Sequence, residues 1–225
     1  MQGLENLSLR VRVACEKAGR EPSEVTVLAV GKKHPAARIR GLYEQGQFDF
    51  GENQLQEARL KQLELADLDI NWYFIGHLQS NKTLAVAEHF DWVQSVDRVK
   101  ILNRLSAQRP RPLAPINICL QVNIDMEPQK SGLLPEQVFE LAQLAVGLRG
   151  IQLRGLMAIP RVSNDPGEVN DSFRRVKVLY DELRNEGFIL DTLSMGMSSD
   201  LESAIAHGST MVRVGTDLFG PRPEK

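Results

Sequence analysis

The 225-residue sequence has little cysteine, little excess charge and no long hydrophobic run. Cys15 and Cys119 supply neither a disulfide framework nor metal-ligand spacing, which predicts a protein of a reducing compartment. The formal net charge of -2 excludes a strongly basic surface for nucleic acid. Charges run through the first thirty residues, so neither a signal peptide nor a membrane span is predicted, and the expected location is the cytoplasm.

Several catalytic motifs are also missing. The sequence contains no HExxH, no Walker spacing and no Ser-His-Asp pattern. His77 has no second histidine or carboxylate at ligand spacing, so no metal site is expected.

Apolar runs of strand length alternate with helical patterns along the chain. An amphipathic helix over 3–19, within an N-terminal segment 1–20, precedes the first strand. Eight strands follow, each with a helix or helix-like stretch after it, at 25–30, 48–53, 72–76, 92–96, 116–123, 153–159, 190–196 and 211–215. Eight such units in 225 residues predict an α/β protein whose residues 1–225 form one TIM (β/α)8 barrel. The alternative, an open doubly wound sheet, would require a glycine-rich turn after strand one, and GKKHP at 31–35 is not one.

The carboxyl ends of the predicted strands carry the polar residues. Lys32 follows the apolar strand 25–30, where a lysine either caps the strand in solvent or is used chemically. The loops after strands seven and eight contain Gly196 to Ser199 and Gly215-Thr216, in positions where barrels frequently bind phosphate. Within the first loop, Ser199 and Glu202 fit a helix capping box, which is the alternative interpretation.

A lysine facing a phosphate site predicts a phosphorylated carbonyl ligand held as a Schiff base. Lys32 is the preferred nucleophile, although periodicity alone does not say whether Lys32 or Lys33 faces inward. Arg213 lies within strand eight, where a charge either pairs with a carboxylate or contacts a ring nitrogen. The second interpretation specifies pyridoxal 5′-phosphate.

Six stretches of the sequence resemble the pyridoxal phosphate homeostasis proteins, the YggS or PROSC type, in that family's order. They are AVGK at 29–32, FGENxxQE at 50–57, FIGHLQSNK at 74–82, GLMAIP at 155–160, SMGMSxD at 194–200 and VRVGTxxFG at 212–220, where x is a position that the resemblance does not specify. The resemblance implies a single-domain barrel like the alanine racemase N-terminal domain (pyridoxal phosphate fold type III). It also implies specific cofactor-binding residues: Lys32 as the Schiff-base lysine, Arg213 at the pyridine nitrogen, Ser198, Gly215 and Thr216 at the phosphate, and Asn53 near the ring.

The sequence departs from the family pattern at three positions. Gly31 replaces the usual Ser before the lysine, and Lys33 replaces a usual Thr. Tyr73 stands where His is frequent. None of these changes removes an implied ligand, but the second leaves two adjacent lysines.

The expected function is a carrier or buffer of pyridoxal phosphate that maintains vitamin B6 and amino-acid balance, without substantial catalysis and with no catalytic residue assigned. Racemisation needs a second positioned acid or base, which related racemases take from another domain, and none is expected here. One alternative is a weak racemase-like enzyme, and another is a Schiff-base aldolase barrel without a cofactor. The expected partners are pyridoxal phosphate and apo-enzymes that receive it, and the expected oligomeric state is a monomer.

Overall fold

The chain folds as a closed barrel of eight parallel strands, in a computed structural model that describes residues 2–161 and 163–220. Each strand pairs with the next, and the last returns to the first, where Thr26 aligns with Met211. The strands are β1 Thr26–Val30, β2 Asp49–Glu52, β3 Asn71–Phe74, β4 Trp92–Val96, β5 Ile116–Val122, β6 Ile151–Ala158, β7 Thr192–Met197 and β8 Met211–Val214. The predicted TIM barrel is confirmed, and the open doubly wound sheet is excluded because the sheet closes.

Helices surround the barrel within the described residues. They are α1 Gln2–Lys17, α2 Ala36–Tyr43, α3 Leu55–Glu64, α4 Thr83–His89, α5 Val99–Gln108, α6 Val138–Val146, α7 Pro166–Asn185, α8 Leu201–Ala206 and α9 Thr216–Phe219. None of these helices has the length and apolar character needed to cross a membrane. Short 3-10 turns at Pro22–Glu24, Ser80–Lys82 and Pro135–Gln137 precede β1, α4 and α6.

Several element boundaries differ from the sequence prediction by one to three residues. The predicted helix from Pro135 begins as a 3-10 turn, and its α-helical part starts only at Val138. The helix-like stretch predicted after the eighth strand is the four-residue helix α9, whose bounds could not be predicted because so short a segment carries no helical period.

Alternating residues on the strands separate two cores. Ala29 of β1 belongs to the larger core between the barrel and its helices, whereas Leu28 points into the barrel. We call the inner cluster the barrel floor; it consists of Leu28, Tyr73, Trp92, Cys119, Met157 and Met211. The floor fills the amino-terminal part of the barrel and leaves its carboxyl-terminal mouth for polar residues.

Candidate functional site

A cavity of about 630 Å³ opens at the carboxyl ends of the strands. This volume is in the range of small-ligand sites. The structure brings all six residues predicted to bind the cofactor into its lining: Lys32, Asn53, Ser198, Arg213, Gly215 and Thr216. Their roles towards a ligand remain predictions.

Lys32, and not Lys33, lines the cavity. Leu28 lies inside the barrel and Val30 lines the cavity, so the alternation of β1 continues to Lys32, which is half-buried. Lys33 is exposed and has a left-handed backbone with φ of 65°. Barrel closure therefore places the preferred Lys32 in the lining, a choice between two faces that strand periodicity alone leaves open.

Three charged residues form a cluster on the outer side of β1 and β2, against α3. The Lys61 Nζ atom lies 2.6 Å from Glu52 Oε1 and 2.7 Å from Glu57 Oε1. It also donates a hydrogen bond of 2.8 Å to the Gly31 carbonyl. We call Glu52, Glu57 and Lys61 the ion cluster.

Glu52 is the most buried member of the ion cluster. Its side chain is fully buried, and its Oε2 atom has no hydrogen-bond partner among the described residues. Burial raises the pKa of Glu52 to about 7, against the attraction of Lys61. Lys32 acts in the same direction as Lys61, which indicates that Glu52 senses the charge of the neighbouring lysine.

Glu52 lies close against Gly31. A Cβ atom at position 31 would lie 2.7 Å from Glu52 Oε1 and 3.1 Å from Ile39 Cδ1. A side chain at position 31 would therefore require the Glu52 carboxylate to shift, and its contact with Ile39 would be tight.

Arg213 crosses the barrel interior without a carboxylate partner in the described residues. Its guanidinium donates to the Ser194 carbonyl and hydroxyl, each at 2.8 Å, and to the Ala158 carbonyl at 2.9 Å. Burial lowers the pKa of Arg213 to about 10, so the residue keeps its charge at neutral pH. The ion pair considered from sequence is absent, and the cation is held by neutral oxygen atoms.

A buried polar pair supports Arg213 from behind. The Ser194 hydroxyl donates to Gln94 Oε1 at 2.8 Å and accepts from Arg213. Both residues are fully buried inside the barrel. Because the hydroxyl hydrogen is committed to Gln94, the Ser194 oxygen faces the guanidinium as an acceptor.

The predicted phosphate residues lie at the end of the cavity formed by the loops after β7 and β8. Ser198, Gly215 and Thr216 line it together with Ser199 and Asp217. The sequence prediction of a capping box was wrong. Helix α8 has Asp200 as its N-cap, Ser199 lies outside the helix, and Glu202 pairs with Arg10 of α1.

Arg10 joins the two loops of this end. It donates to the Ser198 carbonyl at 3.0 Å and to Glu202 Oε1 at 2.8 Å, and it also pairs with Asp217. An unpaired carboxylate at Asp217 would repel a phosphate group. Arg10 therefore both joins the loops and pairs with the carboxylate that lines the same end as the predicted phosphate residues.

The rest of the lining is mostly apolar and poor in acid–base groups. Val30, Ile75, Met157, Ile159 and Met197 contribute side chains to its walls. The titratable side chains that line it are Lys32, Arg213 and Asp217. No histidine, cysteine, tyrosine or glutamate is among the described lining residues.

Two residues singled out in the sequence lie outside this lining. His77 is half exposed, and its Nδ1 atom lies 3.2 Å from the Ser131 hydroxyl. Tyr73 belongs to the barrel floor, where its hydroxyl donates to Asp49. Within the described residues, no three His, Cys, Asp or Glu side chains are grouped as a metal site would need.

Sequence reasoning missed Arg10, Lys61 and Ser194. Lys61 follows Glu57 by four residues on α3, a spacing that signals an ion pair but not its position behind Lys32. Arg10 and Ser194 reach their partners from elements far apart in the sequence, so no local pattern identifies them.

Comparison with known proteins identifies close relatives of this chain. Residues 4–223 match the family model described as alanine racemase, N-terminal domain. A pyridoxal phosphate homeostasis protein of Pseudomonas aeruginosa is 52% identical over 221 residues, which cover 98% of this chain and 95% of that protein. A protein of the same name from Escherichia coli is 44% identical over 216 residues, covering 95% of this chain and 92% of that protein.

Solved structures give the same relationship. PipY of Synechococcus elongatus, solved with pyridoxal phosphate bound, is 40% identical with a TM-score of 0.82, covering 94% of this chain and 99% of PipY. An alanine racemase of Clostridium difficile, 13% identical with a TM-score of 0.76, covers 98% of this chain and 57% of the racemase, and shares the fold alone. By the extent of the family match and the identity to these relatives, the chain belongs to the pyridoxal phosphate homeostasis protein family, within the alanine racemase N-terminal domain family.

Proposed function

We propose that this protein binds pyridoxal 5′-phosphate and carries or buffers it, without substantial catalysis, in vitamin B6 and amino-acid homeostasis. One observation carries the proposal. The amine of Lys32, the buried guanidinium of Arg213 and a group of glycine and hydroxyl residues all line the same cavity. Named relatives at 52% and 44% identity and the cofactor-bound PipY support the same ligand.

The residues present fit this cofactor by their chemistry. Ser198 and Thr216 offer hydroxyl groups for a phosphate, and Gly215 leaves its backbone accessible because it has no side chain. The apolar walls suit an aromatic ring, and Arg213 supplies a hydrogen-bond donor inside the barrel. A cavity of about 630 Å³ is large enough for a phosphorylated pyridine.

Each proposed binding residue has a distinct task. The cofactor, when bound, supplies an aldehyde that combines with primary amines and a ring that withdraws electrons. Lys32 is the proposed amine, and Asn53 lies beside the proposed ring position. Arg213 keeps its own proton at neutral pH and can only donate a hydrogen bond. A ring nitrogen that accepts this bond would therefore stay unprotonated. Ser198, Gly215 and Thr216 are the proposed phosphate ligands.

The lack of acid–base groups in the lining supports a carrier rather than an enzyme. Racemisation and decarboxylation require a proton donor or acceptor beside the substrate carbon. Apart from Lys32, the titratable lining residues are Arg213, which stays charged, and Asp217, which is paired with Arg10. An unprotonated ring nitrogen would also weaken the electron withdrawal that carbanion chemistry needs.

The proposed setting is the cytoplasm, where the protein would act as a monomer and pass its cofactor to apo-enzymes. Cys15 and Cys119 are buried free thiols, which suits a reducing compartment. The cavity opens at the carboxyl ends of the strands, which suits loading and release. Light scattering, which measures the molar mass of the loaded and the unloaded protein, tests whether the protein is a monomer.

The decisive experiment is the visible absorbance of the purified protein mixed with pyridoxal phosphate. The expected result is a protein-bound absorbance band that borohydride abolishes, with mass added at Lys32 after reduction. Lys32→Ala is expected to lack the band, and Lys33→Ala, the matched control, to keep it. A wild-type protein that acquires no band would overturn the proposal.

A separate assay tests the absence of turnover. The loaded protein is incubated with single amino acids, and the products are resolved by chiral chromatography. The expected result is that the loaded protein forms no more product than free pyridoxal phosphate does without protein. Turnover that disappears in Lys32→Ala would identify an enzyme instead.

A further inference from the structure

We infer that the ion cluster of Glu52, Glu57 and Lys61 positions Lys32 by holding both peptide groups that flank it. The inference rests on the proposed function and adds three positioning residues, none of which lines the cavity. All three residues lie behind the turn that carries Lys32, on β2 and α3.

The two peptide groups are held by one continuous set of contacts. The Gly31 carbonyl, which belongs to the peptide group before Lys32, accepts from Lys61 Nζ at 2.8 Å. The Lys33 amide, which belongs to the peptide group after Lys32, donates to Glu57 Oε1 at 2.6 Å. Lys61 Nζ also contacts that same Glu57 oxygen at 2.7 Å, so the two supports are joined.

This turn needs support because its backbone is unfavourable. Lys33 has a φ of 65°, a left-handed conformation that non-glycine residues rarely adopt. The Glu57 carboxylate accepts the amide hydrogen of that residue and so favours this conformation. The direction of the Lys32 side chain follows from the backbone on both sides of it.

A purely structural role does not require charges at these positions. Buried ion pairs are often replaceable by apolar residues without loss of stability, because desolvation offsets their attraction. Glu52 and Lys61 are nevertheless both buried, and Glu52 Oε2 is unsatisfied among the described residues. The feature that apolar residues could not supply is the pair of bonds to the two backbone groups around Lys32.

The experiment separates covalent capture from simple binding. Pyridoxal 5′-phosphate, which has an aldehyde, is compared with pyridoxine 5′-phosphate, its alcohol analogue, in the full chain. Stopped-flow absorbance gives the rate of covalent attachment, and calorimetry gives the affinity of the analogue. The variants are Lys61→Met, which keeps the length of the side chain without its charge, and Glu57→Gln.

The expected result is a selective loss of capture. Attachment slows about tenfold or more in Lys61→Met, because small misplacements of a reacting group are costly. It slows about threefold in Glu57→Gln, where a neutral acceptor remains. The affinity for pyridoxine 5′-phosphate changes less than about twofold in both, since its ligands are untouched. Glu64→Gln is the matched control, an exposed carboxylate on the same helix, and is expected to behave as wild type.

Two results would overturn the inference. One is unchanged attachment in both variants, and the other is an equal loss for both ligands, which is the mark of general damage. If Lys61→Met does not fold, the partly exposed Glu57→Gln carries the test alone. A wild-type protein that binds the analogue but never attaches pyridoxal 5′-phosphate would instead refute the proposed function, and this inference with it.

Discussion

The floor and the mouth of the barrel are built from the same strands but on opposite chemical principles. At the floor, the Tyr73 and Trp92 rings stack with centroids 5.1 Å apart. At the mouth, the inward positions that follow Leu28 of β1 and Met211 of β8 are occupied by Lys32 and Arg213, which are charged. A few residues along one strand therefore separate groups that stabilise the fold from groups available to a ligand. Met157 contributes to both regions and marks the boundary between them.

The largest effect is expected from removing the largest side chain of the floor. Trp92→Ala should lower the free energy of unfolding by about 3–5 kcal/mol, because it leaves a cavity beside Tyr73. It should leave the visible absorbance with pyridoxal phosphate intact below the melting range. Lys32→Ala, the counterpart at the mouth, should abolish that band with little loss of stability. Urea unfolding and visible absorbance measured on both variants check this contrast. A substitution that impairs both stability and the absorbance band equally would contradict it.

The two regions should also differ in their response to pH. Burial raises the pKa of Tyr73 and of Cys119 at the floor, so both stay neutral through the physiological range. Glu52, beside the mouth, has its pKa raised by burial to about 7 from an ordinary value near 4.5. Its folded form therefore holds a proton that the unfolded form has lost, and stability falls as pH rises from about 4.5 to about 7.

Glu52→Gln should remove this pH dependence. We expect the stability of the wild type to decline relative to the variant by up to about 3 kcal/mol between pH 4.5 and pH 7.5. Urea unfolding at four pH values measures the difference. A wild-type stability that rises relative to Glu52→Gln over this window would show that Lys61 outweighs the burial of the carboxyl group.

A smaller effect should follow from loosening Arg213 without removing it. Ser194→Ala deletes one of three acceptors of the guanidinium and leaves Gln94 without its hydroxyl partner. The affinity for pyridoxal phosphate should fall by about 1 kcal/mol, roughly fivefold. Ser209→Ala is the matched control, because its buried hydroxyl contacts only backbone carbonyls. Equilibrium titration of both variants decides whether the support behind Arg213 matters to binding.

The smallest effect is expected at the phosphate end. Arg10→Met leaves Asp217 uncompensated near the proposed phosphate position, so the affinity for pyridoxal phosphate should fall about threefold. The affinity for pyridoxal, which has no phosphate, should stay unchanged. Arg12→Met, an exposed arginine on the same helix, serves as the control. Equal losses for the two ligands would place the effect of Arg10 outside the phosphate end.

The sequence was sufficient for the barrel and for the positions of the predicted ligands, because both depend on local repetition. Eight apolar runs separated by helical patterns require strand pairing in order, and the carboxyl end of each run identifies the mouth. Strand alternation alone could not decide between Lys32 and Lys33, since it separates two faces of a strand without saying which one closes inward.

The supporting contacts could not be predicted, because they depend on distances between separate elements. Arg10 reaches the Ser198 carbonyl from a helix 188 residues away in sequence, and the chain offers many other arginines of similar local setting. The capping box failed for a related reason: α8 takes Asp200 as its N-cap, and Glu202 pairs with Arg10, which no local pattern reveals.

Gly31 and Glu52 constrain the order in which mutations can accumulate in this chain. A side chain at position 31 would meet the Glu52 carboxylate at 2.7 Å, so it is harmful while that carboxylate stays in place. Once Glu52 is shortened or turned away, the same substitution becomes acceptable, but Lys61 then loses its most buried partner. The two positions form an epistatic pair. We therefore expect a substitution at position 31 to be better tolerated together with a change at position 52 than alone.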